Sequence, residues 1–224
     1  MKDIEISTYQ EAGILLETVF DFIKEIYADR QKAGIDFWIS TCTFEEYKAK
    51  VEKDGRTIFV ACSYPDGRLL GTAALIIRQD KKNVQYGGMA NCAVWRDSQR
   101  LGIGSMLVDA IKQKAIHEGC KYLKSKTATN AESSVRWHLG NGYLKTGLSS
   151  ASSNHYFSYV FIMPLVETDS FYYRFGYKIS YLLSCVRTKS IVRQDGSPTW
   201  FGGLLANLRK IVKTILALNR TRNS

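Results

Sequence analysis

Several features that mark specialised proteins are missing from this sequence. Only 3 prolines and 17 glycines occur among 224 residues, which excludes a collagen-like or linker-like chain. The five cysteines are odd in number and widely spaced, so they form neither a disulfide framework nor a paired zinc motif. No metal site is therefore expected, and reduced thiols in a cytoplasm are the simplest interpretation.

Membrane signals are also weak. No apolar leader follows Met1, so no signal peptide is expected. The longest uncharged stretch, residues 146–166, contains a run of serines with Asn154 and His155, and is too polar for a transmembrane helix. What remains, with 45% hydrophobic and 23% charged residues, is the composition of an ordinary globular protein.

Acidic residues become scarce near the C-terminus. Residues 1–165 hold 21 basic and 18 acidic side chains, whereas residues 166–224 hold 10 and 3. A quarter of the chain thus carries most of the net charge of +10. This shift predicts a domain over residues 1–165 and a basic extension over residues 166–224.

Hydrophobic periodicity predicts a mixed order of helices and strands in the first part. The predicted helices cover residues 11–32, 43–53, 104–118 and 131–139, and the predicted strands cover residues 3–9, 57–63, 69–78, 84–95, 122–128, 143–149 and 156–163. The strand–helix–strand unit over residues 84–128 requires a parallel strand pair, and the hairpin over residues 57–78 an antiparallel one. The sequence therefore predicts an α/β protein of the α+β type with a mixed sheet.

Residues 91–105 are the most informative segment. An apolar strand ends in a polar loop containing Gly102 and Gly104, and a helix begins at once. Backbone N–H groups at such a helix N-terminus form an anion cradle, to which Gln99 and Arg100 add donors. Leu107 occupies the third glycine position of a Rossmann fingerprint, and the lysine of a Walker A loop is absent. A phosphate site of another type and an ordinary glycine-rich turn both remain open.

The pattern Gln99-x-x-Gly102-x-Gly104 resembles the acetyl-CoA pyrophosphate loop of the GNAT (Gcn5-related) N-acetyltransferase superfamily. Downstream, the strand over residues 122–128, Asn130, a short helix, and Gly142-Tyr143 before two strands follow the family order. The resemblance covers residues 3–165 and favours a phosphate loop. It implies a mostly antiparallel central sheet with helices on both faces. Residues 166–224 lie outside the resemblance and are expected to form a helical C-terminal extension.

The resemblance also implies roles for residues. Backbone amides of residues 100–105 would hold the CoA pyrophosphate, and the Val94 N–H would face the thioester carbonyl as an oxyanion donor. The implied cofactor-binding set is Ala93, Val94, Gln99, Arg100, Leu101, Gly102, Ile103, Gly104, Ser105, Asn130 and Ser133.

The proton chemistry is where this sequence departs from the family. Many members use a tyrosine on the short helix as general acid. Counting back from Gly142-Tyr143 places His138 there, whereas counting forward from Asn130 places Trp137. Since tryptophan cannot act as an acid, His138 is the candidate general acid, with a buried packing histidine as the equal alternative.

No general base stands out. Asn91 is an amide, and four further candidates are each better explained as structural or exposed: Glu25, Tyr27, His155 and Tyr156. Cys92, on the strand before the loop, is the only thiol considered as a nucleophile. A buried cysteine is more often a packing residue. Direct attack within a ternary complex is therefore expected.

Apolar residues recur at helical spacing over residues 171–186 and again over residues 200–216. The first helix is expected to cover its own domain or to form a homodimer contact. The second is basic, which suits a peripheral contact of residues 196–224 with an anionic membrane surface on the cytoplasmic side. Nucleic acid is not favoured, because the aromatic residues lie on the apolar stripe.

Together these features predict an acetyltransferase that moves an acetyl group from acetyl-CoA to a primary amine. The expected acceptor is a small molecule, such as an amino sugar, with a protein or peptide amine as the next option. The alternative is a non-catalytic GNAT-like binding module that acts through its basic tail on a membrane or partner.

Overall fold

A computed structural model describes residues 3–32, 38–150, 157–166, 177–179 and 181–185. The strands are β1 (Asp3–Thr8), β2 (Thr57–Tyr64), β3 (Leu69–Gln79), β4 (Gln85–Val94), β5 (Tyr122–Ala128), β6 (Leu144–Ser150) and β7 (Phe157–Pro164). The helices are α1 (Leu16–Lys32), α2 (Trp38–Thr41), α3 (Phe44–Asp54), α4 (Ile103–His117) and α5 (Glu132–Gly140).

The seven strands form one mixed sheet in the order β1-β2-β3-β4-β5-β7-β6. The β4–β5 pair is parallel, and every other neighbouring pair is antiparallel. Helix α4 makes the crossover that a parallel pair requires. The prediction of a mixed, mostly antiparallel sheet is confirmed.

Two hydrophobic cores lie on the two faces of the sheet. One packs α4 on the sheet around residues such as Leu107, Ile111, Leu123 and Phe161. The other packs α1 and α3 on the opposite face, around Ile23 and similar side chains. Helices therefore cover both faces, as the family resemblance implied. The two surfaces are called the α4 face and the α1 face below.

Strands β4 and β5 separate soon after they meet. They pair only where Gly87 meets Leu123 and Gly88 meets Lys124. A β-bulge follows in β4, because Asn91 and Cys92 together oppose a single residue of β3. Asn91 adopts a left-handed backbone with φ of 51°. A wedge-shaped gap therefore opens toward the carboxyl ends of the two strands.

Helix α3 begins as its sequence predicts. Thr43 and Glu46 form a capping box, in which the Thr43 side chain accepts from the Glu46 N–H and the Glu46 carboxylate accepts from the Thr43 N–H. The predicted start of α1 at residue 11 was wrong. The Glu11 carboxylate instead accepts hydrogen bonds from the N–H and hydroxyl of Thr8, which forms a turn before the helix. Helix α2 is a four-residue element that periodicity did not reveal.

A short piece of the C-terminal extension contacts edge strand β6. Residues 177–179 and 181–185 are helical. The Ser184 hydroxyl accepts the Leu148 N–H at 2.8 Å and donates to the Leu148 carbonyl at 2.9 Å. The predicted helix over residues 200–216 lies outside the described residues, as do His155 and Tyr156. Among the helices that the structure describes, none is long and apolar enough to cross a membrane.

Candidate functional site

A cleft of about 830 Å³ occupies the gap between β4 and β5. Its walls come from the loop before α4, from β5 and from α5, and Tyr27 of α1 reaches it from the other face of the sheet. The cleft is therefore lined by residues from both faces of the sheet.

The loop between β4 and α4 supplies backbone donors to this cleft. Arg100 and Gly102 both have left-handed backbones, with φ of 68° and 80°. The Gly102 carbonyl accepts the N–H groups of Ser105 and Met106, which closes the first turn of α4. The N–H groups at the start of a helix have no partner within it, and here they face the cleft. A loop of this kind suits a phosphate group.

Gly104 lies against the indole of Trp137. A Cβ atom at position 104 would lie 2.8 Å from the Trp137 Nε1 and 3.2 Å from its Cε2. Any side chain at this position would displace the indole and fill the cradle. In the part of the chain that the structure describes, the indole N–H has no acceptor, so it adds a donor beside the loop.

The backbone of Val94 points toward the gap. The Trp95 N–H donates to the Leu70 carbonyl of β3 at 2.9 Å. Since successive N–H groups of a strand point in opposite directions, the Val94 N–H points away from β3. The Gln99 side-chain amide donates to the Val94 carbonyl at 3.3 Å, which ties the loop to the end of β4.

His138 is buried, with only 3% of its surface exposed. Its Nδ1 lies 2.7 Å from the Ser134 carbonyl, and its Nε2 lies 2.9 Å from the Ser125 hydroxyl. A carbonyl only accepts, so Nδ1 carries the proton and Nε2 accepts from Ser125. The ring stacks on Phe161 with centroids 4.6 Å apart. His138 and the buried Ser125 both line the cleft, joined by this hydrogen bond.

The described lining of the cleft is strongly basic. Its charged side chains are Arg96, Arg100, Lys126 and Arg136, and no carboxylate is among them. This charge suits a polyanionic ligand that carries phosphate groups. Within the described residues, no cluster of histidine, cysteine and acidic side chains can hold a metal ion.

Comparison with known proteins agrees with this geometry. The Acetyltransferase (GNAT) family matches residues 20–143, which is more than half of the chain. The chain belongs to the GNAT acetyltransferase family. Members of this family use acetyl-CoA as the acetyl donor. A search of curated proteins gave no match.

Solved structures share the fold at low sequence identity. A GNAT acetyltransferase from Staphylococcus aureus Mu50 is 18% identical, with 73% of this chain and 100% of that chain covered and a TM-score of 0.55. The yncA protein of Salmonella typhimurium, solved with acetyl-CoA, is 16% identical, with 75% and 96% covered and a TM-score of 0.57. A chain of the NatC complex, bound to Gag peptide and CoA, is 15% identical, with 73% and 99% covered and a TM-score of 0.57.

The structure brings most of the residues expected of a GNAT cofactor site to the cleft. The lining includes Val94, Gln99, Arg100, Gly102, Ile103, Gly104, Ser105 and Ser133. The candidate general acid His138 also lines the cleft. Three expected residues lie elsewhere. Ala93 packs in the core on the α1 face, Leu101 is 63% exposed, and Asn130 is exposed in the turn after β5.

Sequence reasoning missed the contribution of β5. Ser125, Lys126 and Thr127 all line the cleft. Four consecutive polar residues, from Lys124 to Thr127, were a usable signal, because neighbouring side chains of a strand point to opposite faces and both faces are polar here. Of the base candidates, Tyr27 lines the cleft and donates to the Cys92 carbonyl at 3.4 Å, whereas Glu25 is exposed.

Proposed function

We propose that this protein transfers an acetyl group from acetyl-CoA to the primary amine of a small acceptor, such as an amino sugar. One observation carries the proposal. The amide cradle at residues 100–104 opens into the same gap toward which the Val94 N–H points. A phosphate-binding element and an oxyanion donor therefore serve a single cleft.

The residues present fit a CoA molecule. Backbone amides of the loop hold the pyrophosphate, and Arg100 and Arg136 add positive charge beside it. Ser133 and the Trp137 N–H offer further donors along the cleft. The solved complex of yncA with acetyl-CoA, a protein of the same fold, supports this assignment. Bound acetyl-CoA supplies the activated thioester.

The Val94 N–H donates to the thioester carbonyl oxygen. That oxygen gains negative charge as the amine attacks, so a fixed backbone donor stabilises the transition state more than the ground state. The bulge at Asn91 separates β4 from β5 and leaves this N–H available to the gap.

We assign the proton transfer to Ser125 and His138. The Nε2 of neutral His138 accepts a proton through the Ser125 hydroxyl, and the resulting imidazolium returns it by the same route to the departing thiolate. His138 thus acts as the general acid only after it has taken up the proton that the amine loses.

Direct attack in a ternary complex needs no protein nucleophile. Cys92 lies on the strand beside the gap, and its side chain packs against the core of the α4 face. The pKa of its neighbour Tyr143 is raised, first by burial and then by the Cys92 thiol. We therefore assign the Cys92 thiol to packing.

A thiol-release assay tests the proposal. Acetyl-CoA and a panel of amino sugars, other small amines and peptide N-termini are supplied, and mass spectrometry identifies the acetylated product. We expect CoA release that depends on an amine, at similar rates in wild type and Cys92→Ser. Peptides belong in the panel because the NatC structure contains a peptide. CoA binding without release with any amine would favour the non-catalytic binding module.

A separate proposal concerns the basic extension over residues 166–224. We propose a cytoplasmic location with peripheral membrane contact through residues 196–224. The excess of basic residues there supports this contact. Equal flotation of the full chain and residues 1–195 with anionic vesicles would contradict it. A homodimer contact through the first tail helix is the other option, which sedimentation of the full chain would reveal.

A further inference from the structure

Two lysines of β5 lie on the side of the sheet opposite the phosphate loop. Lys124 pairs with Gly88, and its Nζ lies 5.5 Å from the centre of the Tyr86 ring. The Lys126 Nζ donates to the Ser149 hydroxyl at 3.4 Å. Ser125, between them in sequence, points the other way and contacts His138. Both lysines therefore lie on the α1 face.

This position places the lysines where an acceptor would enter. The phosphate loop and α4 lie on one face of the sheet, and residues of both faces line the cleft at the gap between β4 and β5. Lys126 is one of the residues that line the cleft from the α1 face. An amine that approaches a thioester held from the α4 face must arrive from the α1 face and pass Lys126.

The positive charges of Lys124 and Lys126 have little nearby negative charge to offset them. The pKa of Lys126 is lowered, first by partial burial and then by the nearby positive charges of Lys124 and Arg78. Asp54 is the nearest carboxylate to Arg78, at 3.9 Å, and it is already engaged by Arg56 at 2.7 Å. Among the described residues, no carboxylate forms an ion pair with either lysine.

The positive potential around Lys126 and Lys124 discriminates between amine substrates. A substrate whose only charge is its ammonium group would be repelled by Lys126. A substrate that also carries a negative group gains an ion pair that orients its amine toward the gap. The same field favours the neutral, nucleophilic form of a nearby amine, which matters because no carboxylate is found in the described lining of the cleft.

We propose that the acceptor is an amine that carries an anionic group, phosphate or carboxylate, which Lys126 and Lys124 bind on the α1 face. This inference rests on the proposed acetyl transfer and names its substrate class. Lys126 acts as a specificity residue that positions the substrate.

Matched amines test the proposal by thiol release. Glucosamine 6-phosphate is compared with glucosamine for the phosphate arm, and serine with serinamide for the carboxylate arm. We expect kcat/KM to favour the anionic member of at least one pair by about tenfold or more. Lys126→Gln should remove that preference by raising KM for the anionic member and by lowering it slightly for the member that carries only an ammonium group. Lys145→Gln is the control, because the Lys145 Nζ lies over the Tyr159 ring at 4.2 Å and Lys145 does not line the cleft.

If no amine is turned over, a binding measurement tests whether Lys126 binds the anionic group. Glucosamine 6-phosphate and serine are titrated into protein saturated with CoA, so that the phosphate loop is already occupied. Binding that Lys126→Gln weakens about tenfold and Lys145→Gln preserves would support the inference. Equal use of amines with and without an anionic group, or no effect of Lys126→Gln on preference or binding, would overturn it while leaving acetyl transfer intact. Failure to bind CoA would instead count against the proposed function.

Discussion

At the residue scale, His138 links the hydrophobic core to the cleft. Its two ring nitrogens are engaged by Ser134 and Ser125, and its ring stacks on Phe161. The sequence suggested both a packing histidine and a general acid. The observed contacts suit packing directly, and they leave an acid role only through the Ser125 hydroxyl.

Substitution separates these two roles. His138→Ala should lower the free energy of unfolding by about 2–4 kcal/mol, because it leaves a cavity and removes two hydrogen bonds. Ser125→Ala removes one hydrogen bond and should cost about 1 kcal/mol. Urea unfolding measures both changes. If Ser125 relays the proton, Ser125→Ala should also lower kcat at least about tenfold at unchanged KM for acetyl-CoA. An unchanged kcat would assign His138 to packing alone.

Single residues also show how far the site could be predicted. The glycines of the loop were visible because a helix N-terminus is a local feature of the sequence. Trp137 was set aside because an indole is not an acid, yet its Nε1 lies beside Gly104. That contact joins residues far apart along the chain, and no local pattern encodes it.

At the scale of elements, β6 is an edge strand protected by a side chain. The Ser184 hydroxyl contacts both the N–H and the carbonyl of Leu148, in the place that a neighbouring strand would take. Exposed backbone groups at a sheet edge invite pairing with other chains. Ser184 therefore stabilises this edge of the sheet.

This contact predicts a local loss of stability. Ser184→Ala should lower the free energy of unfolding by about 1–2 kcal/mol and speed hydrogen exchange of the Leu148 amide, because it removes the two hydrogen bonds between Ser184 and the Leu148 backbone. Leu183→Ala changes the adjacent side chain, which is 66% exposed, and should have little effect. Similar exchange in the two variants would mean that Ser184 does not hold the edge.

Most elements were predictable because hydrophobic periodicity reports burial on one face. The start of α1 was not, since Glu11 binds the Thr8 backbone instead of entering the helix. Helix α2 has four residues, too few to show a period. The bulge at Asn91 was hidden for another reason. It depends on the register between β3 and β4, which the residues of β4 alone do not fix.

At the scale of the whole molecule, the two faces of the sheet carry different parts of the candidate site. The α4 face carries the proposed phosphate loop, and the α1 face carries the lysines of β5. The gap between β4 and β5 connects them. Composition showed only a net charge of +10, and the fold is what concentrates part of that charge around one cleft.

The central claim is that acetyl-CoA binds at the loop before α4, and calorimetric titration tests it most directly. Gly104→Glu should weaken binding at least about 100-fold, because the carboxylate fills the cradle and repels phosphate. Gly140→Glu is the matched control, since a Cβ there meets no atom within 4 Å. We predict that wild type and Gly140→Glu bind acetyl-CoA alike and that Gly104→Glu does not. Equal binding by all three, or none by the folded wild type, would contradict the account.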